Sequence, residues 1–419
     1  MTVEDVEVFR ARVRDWMGVN LPRKRDSQPS VRPDEPSEQR QQKAQLLQRM
    51  LFDGGFGGIC YPREYGGQGL TPEHQRAFNE EGEAYELPEG LNIPTMTIIA
   101  PTLLEFGTPE QLHRWLPPIL RGDAVWVQFL SEPTGGSDLA GLLTRAERSE
   151  DGFVVNGSTV WSTMAYAADY ALCLARTNWD VPKHRGLTML AMKVHQPGVT
   201  INRIRNVTGS TGDFCEEFFD DVRVPADDVL GVVDDGWTVA SRLLFHERQA
   251  VGGASPFAVG RGMNETSSET RLDLTLLAAS VDRLGSDYVR QIVAEAHALH
   301  IVSGQLVQRV RTGMRTGQFP TPAGSLPRLM AARVNVRCAD IGLEIAGAAA
   351  GAWTEMQHLG GEYGHAYLAR QSVELAGGST EMQRNMISER LLGMPREFAP
   401  DRNIPFREVK NNQSRRSAS

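Results

Sequence analysis

Cysteine is scarce in this chain of 419 residues. Cys60, Cys173, Cys215 and Cys338 stand far apart and form no CxxC pair. Neither a zinc site nor a disulfide framework is therefore expected, and the cysteines read as buried thiols. A basic excess is missing too: Lys and Arg number 44 against 52 Asp and Glu, a formal net charge of -8. General binders of nucleic acid or anionic membranes rely on a basic surface, so neither is expected as a partner. No apolar run of about 18 residues, the length a membrane span needs, occurs. The amino end, MTVEDVEVFRARVRDW, carries charges at helical spacing where a secretory leader has an apolar core. The expected location is cytoplasmic. No internal repeat is apparent.

Present instead is ample core material, with 41% hydrophobic and 23% charged residues, and a length that suits two or three domains. Residues 1–124 read as a helical domain. PSEQRQQKAQLLQRMLFDGG puts Leu46, Leu47, Met50 and Leu51 on one helix face with Gly54 and Gly55 as a stop. TPEQLHRWLPPILRG offers Thr108 as N-cap and Pro109 as first helical residue, with a double proline and a glycine as terminators. From 125 to 235 the pattern turns to short β-prone segments (WVQFL, GFVVNGSTVWS, YALCLART, LTMLAMKV, VTINRI and EEFFDDVRV), which predict an antiparallel β-domain. Residues 236–396 return to apolar positions every three to four residues and predict a helical bundle. Residues 397–419 read as a polar, disordered tail. The fold class expected is α+β.

At the first junction stands SEPTGGSDLA (131–140), with two adjacent glycines among hydroxyl and carboxylate side chains. Glycines let a backbone approach a ligand closely, yet the loop has neither the GxxxxGK[ST] nor the GxGxxG pattern of phosphate and dinucleotide sites. Six segments in order, YPREYGGQG (61–69), FGTPEQLHRWLPPILRG (106–122), WVQFLSEPTGGSDLA (126–140), VVNGSTVWST (154–163), FFDDVRVP (218–225) and AGGSTEMQRNMISERLLGMPR (376–396), are similar to the successive signatures of the acyl-CoA dehydrogenase family. The resemblance implies a helical, β-barrel, helical architecture and bound FAD. It implies that Gln128 begins the cofactor strand, that Leu130 and Ser131 meet the flavin pyrimidine edge, and that Gly136 and Ser137 approach the pyrophosphate. Trp161 would lie against the flavin ring and Thr163 would bond N5; side chains two apart on a strand share a face. The other reading of this pair is a core Trp and a surface Thr. Arg283 falls where an arginine reaches a partner subunit's pyrophosphate, although its surroundings depart from the family pattern. Ser379, Thr380 and Glu381 fall where the family contacts the adenosine half, and equally make good helix N-cap chemistry.

The chemistry implied is α,β-dehydrogenation of an acyl-CoA thioester, with a carboxylate base for the α-proton and electrons passing on to electron-transferring flavoprotein. Many family members carry the base just before the Gly-[ST]-[ST] motif, where this chain has Gly377. A minority place it before an arginine on the first helix of the carboxyl domain, and LLFHERQAVGG puts Glu247 and Arg248 there. Glu247 is the expected base, against the alternative of a surface ion pair with Arg248. Gly377 keeps a role through its N–H, which the family turns to the thioester oxygen as charge develops there. Arg248 would support the base or the pocket wall. Phe245 occupies a position where other members contact the CoA side through a polar group, and Ser137 borders the substrate. His246 receives no role. The vacant side chain at 377 is compatible with bulky, ring-bearing acyl groups. A dimer or tetramer, homomeric or heteromeric, is implied; a partner subunit with little chemistry of its own and an oxidase on the same fold stay open.

Overall fold

The computed structural model describes residues 3–24, 37–207, 211–251, 253, 255–260, 273–351 and 358–409. Two compact units result: described residues within 1–205, 211–265 and 399–419, and those within 206–210 and 266–398.

In the first unit, α1 (Val6–Asn20) is capped by Asp5, whose carboxylate accepts from the N–H groups of Glu7 and Val8, and buries Phe9, Val13 and Met17 at four-residue spacing. Its charged side chains hold α3 (Pro72–Glu81): Arg10 and Arg14 both meet Glu81. On α2 (Ser37–Asp53) the buried stripe is Ala44, Leu47, Gln48 and Leu51, while Leu46 is 57% exposed. The expected four-residue apolar face was one residue too wide. Gln48 takes a core position because its amide donates to the Leu120 carbonyl at 2.7 Å. After α4 (Ala100–Phe106) comes α5 (Pro109–Arg121), where Thr108 and Gln111 form a reciprocal capping box. Pro117 and Pro118 do not end α5, as the sequence led us to expect; they lie inside it, and the helix closes at Gly122 in the left-handed region (φ 82°).

Eight strands follow: β1 (Trp126–Phe129), β2 (Arg145–Arg148), β3 (Gly152–Thr163), β4 (Tyr170–Arg176), β5 (Leu187–Lys193), β6 (Val199–Arg205), β7 (Thr211–Pro225) and β8 (Val229–Leu230). The sheet runs β6-β7-β3-β2-β4-β5-β8, with β1 alongside β4. It is an open sheet, which corrects the expected barrel: closure requires the end strands to pair, and here β6 pairs with β7 and the two-residue β8 with β5. Nor is it wholly antiparallel, since β1 and β2 each run parallel to β4. β4 and β5 are buried almost continuously, as strands covered on both faces are. The helix α6 (Gly236–Val251) covers part of this layer, packing on β5 and α4. Cys173 and Cys215 are buried in the sheet, and Cys60 and Cys338 are partly exposed.

The second unit is helical: Leu274–Ser280, Asp287–Arg315, Ser325–Ala346 and His358–Ala369 are its longer helices, with Leu277, Ile292, Ile341, Ile345 and Tyr363 in its core.

The carboxyl-terminal segment corrects a second expectation. Phe406 is 2% exposed, and its N–H and that of Arg407 donate to the carbonyls of Val181 and Trp179, so the chain up to Val409 is docked on the β-layer. Residues 410–419 lie outside the described residues. Polar composition hid the single aromatic anchor. Phe406 covers Arg176, a fully buried residue whose guanidinium lies 3.5 Å from the ring centroid and donates to the carbonyls of Ala140, Leu142 and Lys183. Burial lowers Arg176 to about 10, with Glu132 and Asp138 opposing.

A buried carboxyl sits between β3 and β7. Glu217 is fully buried and accepts from Thr159 Oγ1 at 2.7 Å and from Ser162 Oγ. Burial pushes it up to about 7, against the two hydroxyl donors.

Two outcomes are expected in urea unfolding. Phe406→Ala should cost about 3 kcal/mol, the usual penalty for a buried Phe truncation. Glu217 binds its proton more tightly folded than unfolded, so its contribution is full below about pH 4.5 and is lost as pH rises through about 7. At about 1.4 kcal/mol per tenfold in proton affinity, native protein should lose about 3 kcal/mol relative to Glu217→Gln across that range.

Candidate active site

β1 leads directly into the glycine-rich loop, and the loop is held by two buried side chains of opposite charge. Glu132, 7% exposed, accepts from the N–H groups of Leu143 (2.8 Å) and Thr144 (2.5 Å) and from Thr144 Oγ1 (2.7 Å). Arg176 takes the carbonyls of Ala140 (2.6 Å) and Leu142 (3.2 Å). Neither residue was singled out from the sequence. The available signal was Glu132 itself, an acid at the entry of a loop whose backbone donors need acceptors. Lys183 adds a surface tie, its ammonium 3.1 Å from Asp138 in the loop and 2.9 Å from Asp401 in the docked carboxyl-terminal segment.

Within this frame Leu130 is buried, Ser131 is half-buried with its carbonyl accepting from Val160 N–H at 2.8 Å, and Gly136 and Ser137 are exposed. Gly135 and Gly136 have no conformational need for glycine, since neither is among the positive-φ residues. Nor does the chain crowd them: a Cβ at Gly136 would meet Ser131 Oγ at 3.6 Å, an ordinary contact, and one at Gly135 would meet nothing within 4 Å. Bare backbone facing open space suits close approach of a ligand, and so fits a pyrophosphate there.

The expected alternation of Trp161 and Thr163 along β3 is interrupted by a bulge. Val160 pairs with Glu216 and Ser162 with Cys215, leaving Trp161 as the extra residue at φ 71°. Trp161 is 57% exposed, which rules out the core-Trp reading, and its ring meets Phe214 edge-on at 5.9 Å. Thr163 is half-buried. An exposed indole held in a strained backbone beside the loop is a flat apolar surface of the kind a flavin ring stacks on.

Glu247 lies on α6, partly exposed, and its Oε2 accepts from Gln128 Nε2 at 3.3 Å. The candidate base and β1 are thus in direct contact. Arg248 is exposed. Phe245 carries the Arg242 guanidinium over its ring at 4.4 Å, so its visible role is packing along the helix. His246 is 8% exposed and faces the other way, its Nε2 2.9 Å from Glu105 Oε1, while Arg242 holds the same carboxylate through two bonds of 2.7 Å. Burial lowers the His246 pKa, with Glu105 opposing; Arg242 holds the Glu105 carboxyl below its usual range. This anchor fixes the rotation of α6 on α4 and hence where Glu247 points.

The remaining expected residues belong to the second unit. Gly377 has φ 65° and Gly378 φ 84°, and Gln383 Nε2 donates to the Gly378 carbonyl at 3.1 Å. Glycine takes this left-handed backbone at 377 without strain. Ser379 caps the short helix Thr380–Asn385, accepting from Met382 N–H at 3.3 Å, as the capping alternative has it. Thr380 is buried with its hydroxyl on Glu381, and Glu381 also pairs with Arg384. Arg283 caps its own unit, with Nη1 2.9 Å from the carbonyls of Glu344 and Ile345.

Among the described residues no helix is long and apolar enough to cross a membrane. Comparison with known families matches the acyl-CoA dehydrogenase N-terminal domain over residues 4–123, the middle domain over 128–222 and the C-terminal domain over 234–392. Acyl-CoA dehydrogenase IpdE1 of Mycobacterium tuberculosis is 32% identical over 406 residues, 94% of this chain and 99% of that one. FadE34 of the same organism is 35% identical over 83% of this chain and 46% of its own length. Among solved structures, the Tcur3481-Tcur3483 steroid acyl-CoA dehydrogenase superposes with a TM-score of 0.72 at 25% identity, covering 95% of this chain and all (100%) of that one. The ChsE4-ChsE5 complex from Mycobacterium tuberculosis superposes at 0.67 and 24% identity over the same 95% of this chain and 100% of that one. With three successive family domains matched over a continuous layout of loop, bulged strand and helix, the chain belongs to the acyl-CoA dehydrogenase family of FAD-dependent oxidoreductases.

Proposed function

We propose that this chain binds FAD and dehydrogenates an acyl-CoA thioester to its 2-enoyl-CoA, with Glu247 as the base. The observation that supports this most is the Gln128–Glu247 hydrogen bond, which sets a carboxylate beside the strand that leads into Leu130 and Ser131. The open backbone at Gly135 and Gly136 and the exposed Trp161 fit the cofactor. Leu130 and Ser131 would meet its pyrimidine edge, Gly136 and Ser137 its pyrophosphate, and Thr163 N5. Bound FAD supplies the acceptor for the hydride leaving the β-carbon.

Glu247 removes the α-proton in the same reaction, and both electrons of the new C=C bond come from the broken α C–H bond. Gln128 holds that carboxylate in place by donating to its Oε2. The Gly377 N–H serves as donor to the thioester oxygen, where negative charge develops. Ser379, Thr380 and Glu381 act through the cap they form, and Arg283 reaches a partner subunit's cofactor only by leaving its two carbonyls. The acyl group is ring-bearing: position 377 carries no side chain, and a solved relative with 25% identity is a steroid acyl-CoA dehydrogenase. Assembly is oligomeric, with electron-transferring flavoprotein as acceptor.

Anaerobic bleaching of the flavin band by straight, branched and ring-bearing acyl-CoA thioesters tests the reading. A ring-bearing thioester should bleach the native protein fastest; Glu247→Ala should slow bleaching by about 10²- to 10⁴-fold, the range for a lost general base. Gln128→Leu, which removes one hydrogen bond to a charged group, should slow it by about tenfold or more with FAD still bound. Bleaching by Glu247→Ala at the native rate defeats the base assignment, and a preference for straight chains defeats the substrate class.

A further inference from the structure

Glu217 has no place in the chemistry above, yet its surroundings are built around it. Thr159 (1% exposed) stands directly opposite it in the β3–β7 register, and Ser162 (6% exposed) stands opposite Cys215. On a regular strand, residues three apart point to opposite faces. The bulge alters that count: with Trp161 as the extra residue, the Thr159 and Ser162 hydroxyls come round to one face and meet the two oxygens of a single carboxyl. Bulge and carboxyl therefore require each other. Without the bulge Ser162 cannot reach Glu217, and without Glu217 two buried hydroxyls lose their acceptor.

No lysine or arginine forms an ion pair with Glu217 among the described residues, and the other charge acting on it is its neighbour Glu216. A buried acid without a cation is costly as a stabilising device; apolar residues at 159, 162 and 217 would fill the space without desolvation. What a satisfied polar group provides is one geometry, because a shifted register leaves donors unpaired. That geometry is strained at Trp161, whose left-handed backbone must be imposed by its surroundings. On the other edge, the Val160 N–H bond to the Ser131 carbonyl ties the same stretch to the glycine-rich loop.

We propose that Glu217 is a positioning residue: by accepting from Thr159 and Ser162 on either side of the bulge, it fixes the backbone at Trp161 and so the directions of the Trp161 indole and the Thr163 hydroxyl toward the flavin. The proposal rests on the reading of Trp161 and Thr163 as cofactor contacts.

The test compares native protein, Glu217→Gln, Glu217→Val and the all-apolar Thr159→Val/Ser162→Val/Glu217→Val variant. FAD dissociation constant, shape of the visible flavin band, and iodide quenching of the Trp161 component of apoprotein fluorescence, obtained by difference against Trp161→Phe, are measured for each. Glu217→Gln keeps a partner for both hydroxyls, its oxygen accepting from one and its amide N–H donating to the other, and should stay within about threefold of native in FAD affinity. Glu217→Val should bind FAD at least about tenfold more weakly, with an altered band and altered quenching. The all-apolar variant removes the unpaired hydroxyls, so it should recover the native urea midpoint without recovering FAD affinity or quenching. Native affinity, band and quenching in either valine variant overturns the proposal, as does a folded Glu217→Gln as impaired as Glu217→Val. Trp161→Ala separates the two levels. If it leaves affinity and band unchanged, the cofactor-contact reading falls and the proposal with it; if it changes them while Glu217→Val does not, the proposal alone falls.

Discussion

A pair of buried opposite charges holds the loop on which the site depends. Residues 131–144 contain little regular structure, so their backbone groups cannot satisfy one another as those of a helix or sheet do. Glu132 supplies acceptors for the N–H groups at 143 and 144, and Arg176 supplies donors for the carbonyls at 140 and 142. Each charge is compensated by loop backbone, which explains how both survive burial. The loop can then present bare glycine backbone outward while its ends stay fixed.

The same economy extends to both sides. Phe406 closes over Arg176 from the carboxyl-terminal segment, so a residue some 230 positions away in sequence (Arg176 to Phe406) seals the loop's anchor. On the opposite side, the Ser131 carbonyl and the Glu217 carboxyl grip β3 around its bulge, which turns Trp161 out of the sheet. The helix bearing Glu247 is set by a third carboxylate, Glu105, held by Arg242 and His246. Three carboxylates thus hold the loop, the bulged strand and α6 in place. Precision of this kind matters because a displacement of about 1 Å at a reacting group costs as much as 10²-fold in rate.

Gly377, where many family members carry a glutamate, lies in the left-handed region, whereas Glu247 lies on the regular helix α6. A helix edge is a stiffer support for a carboxylate than a left-handed turn.

Local periodicity made much of this architecture legible. Six β-prone segments correspond to β1 and β3 to β7, the Thr108 capping box is written in TPEQ, and the helix from Asp287 begins where Ser286 caps it. β2 was missed because RAER buries one residue in four, and β8 because two residues carry no period. Closure of the sheet was beyond the sequence, since alternation records which face a residue takes and says nothing of which strands meet at the edges. Site residues divide in the same way. Glu247 before Arg248, the vacant 377 and the glycine-rich loop are facts of order along the chain, and motif order carried them to the family. Glu132, Arg176, Glu217 and the turn of Trp161 out of β3 are contacts between residues distant in sequence. Nothing local distinguishes the buried Glu217 in EEFFDD from the half-buried Glu216 beside it; register with β3 and the bulge at Trp161 decided that, because only folding brings the two hydroxyls to the carboxyl.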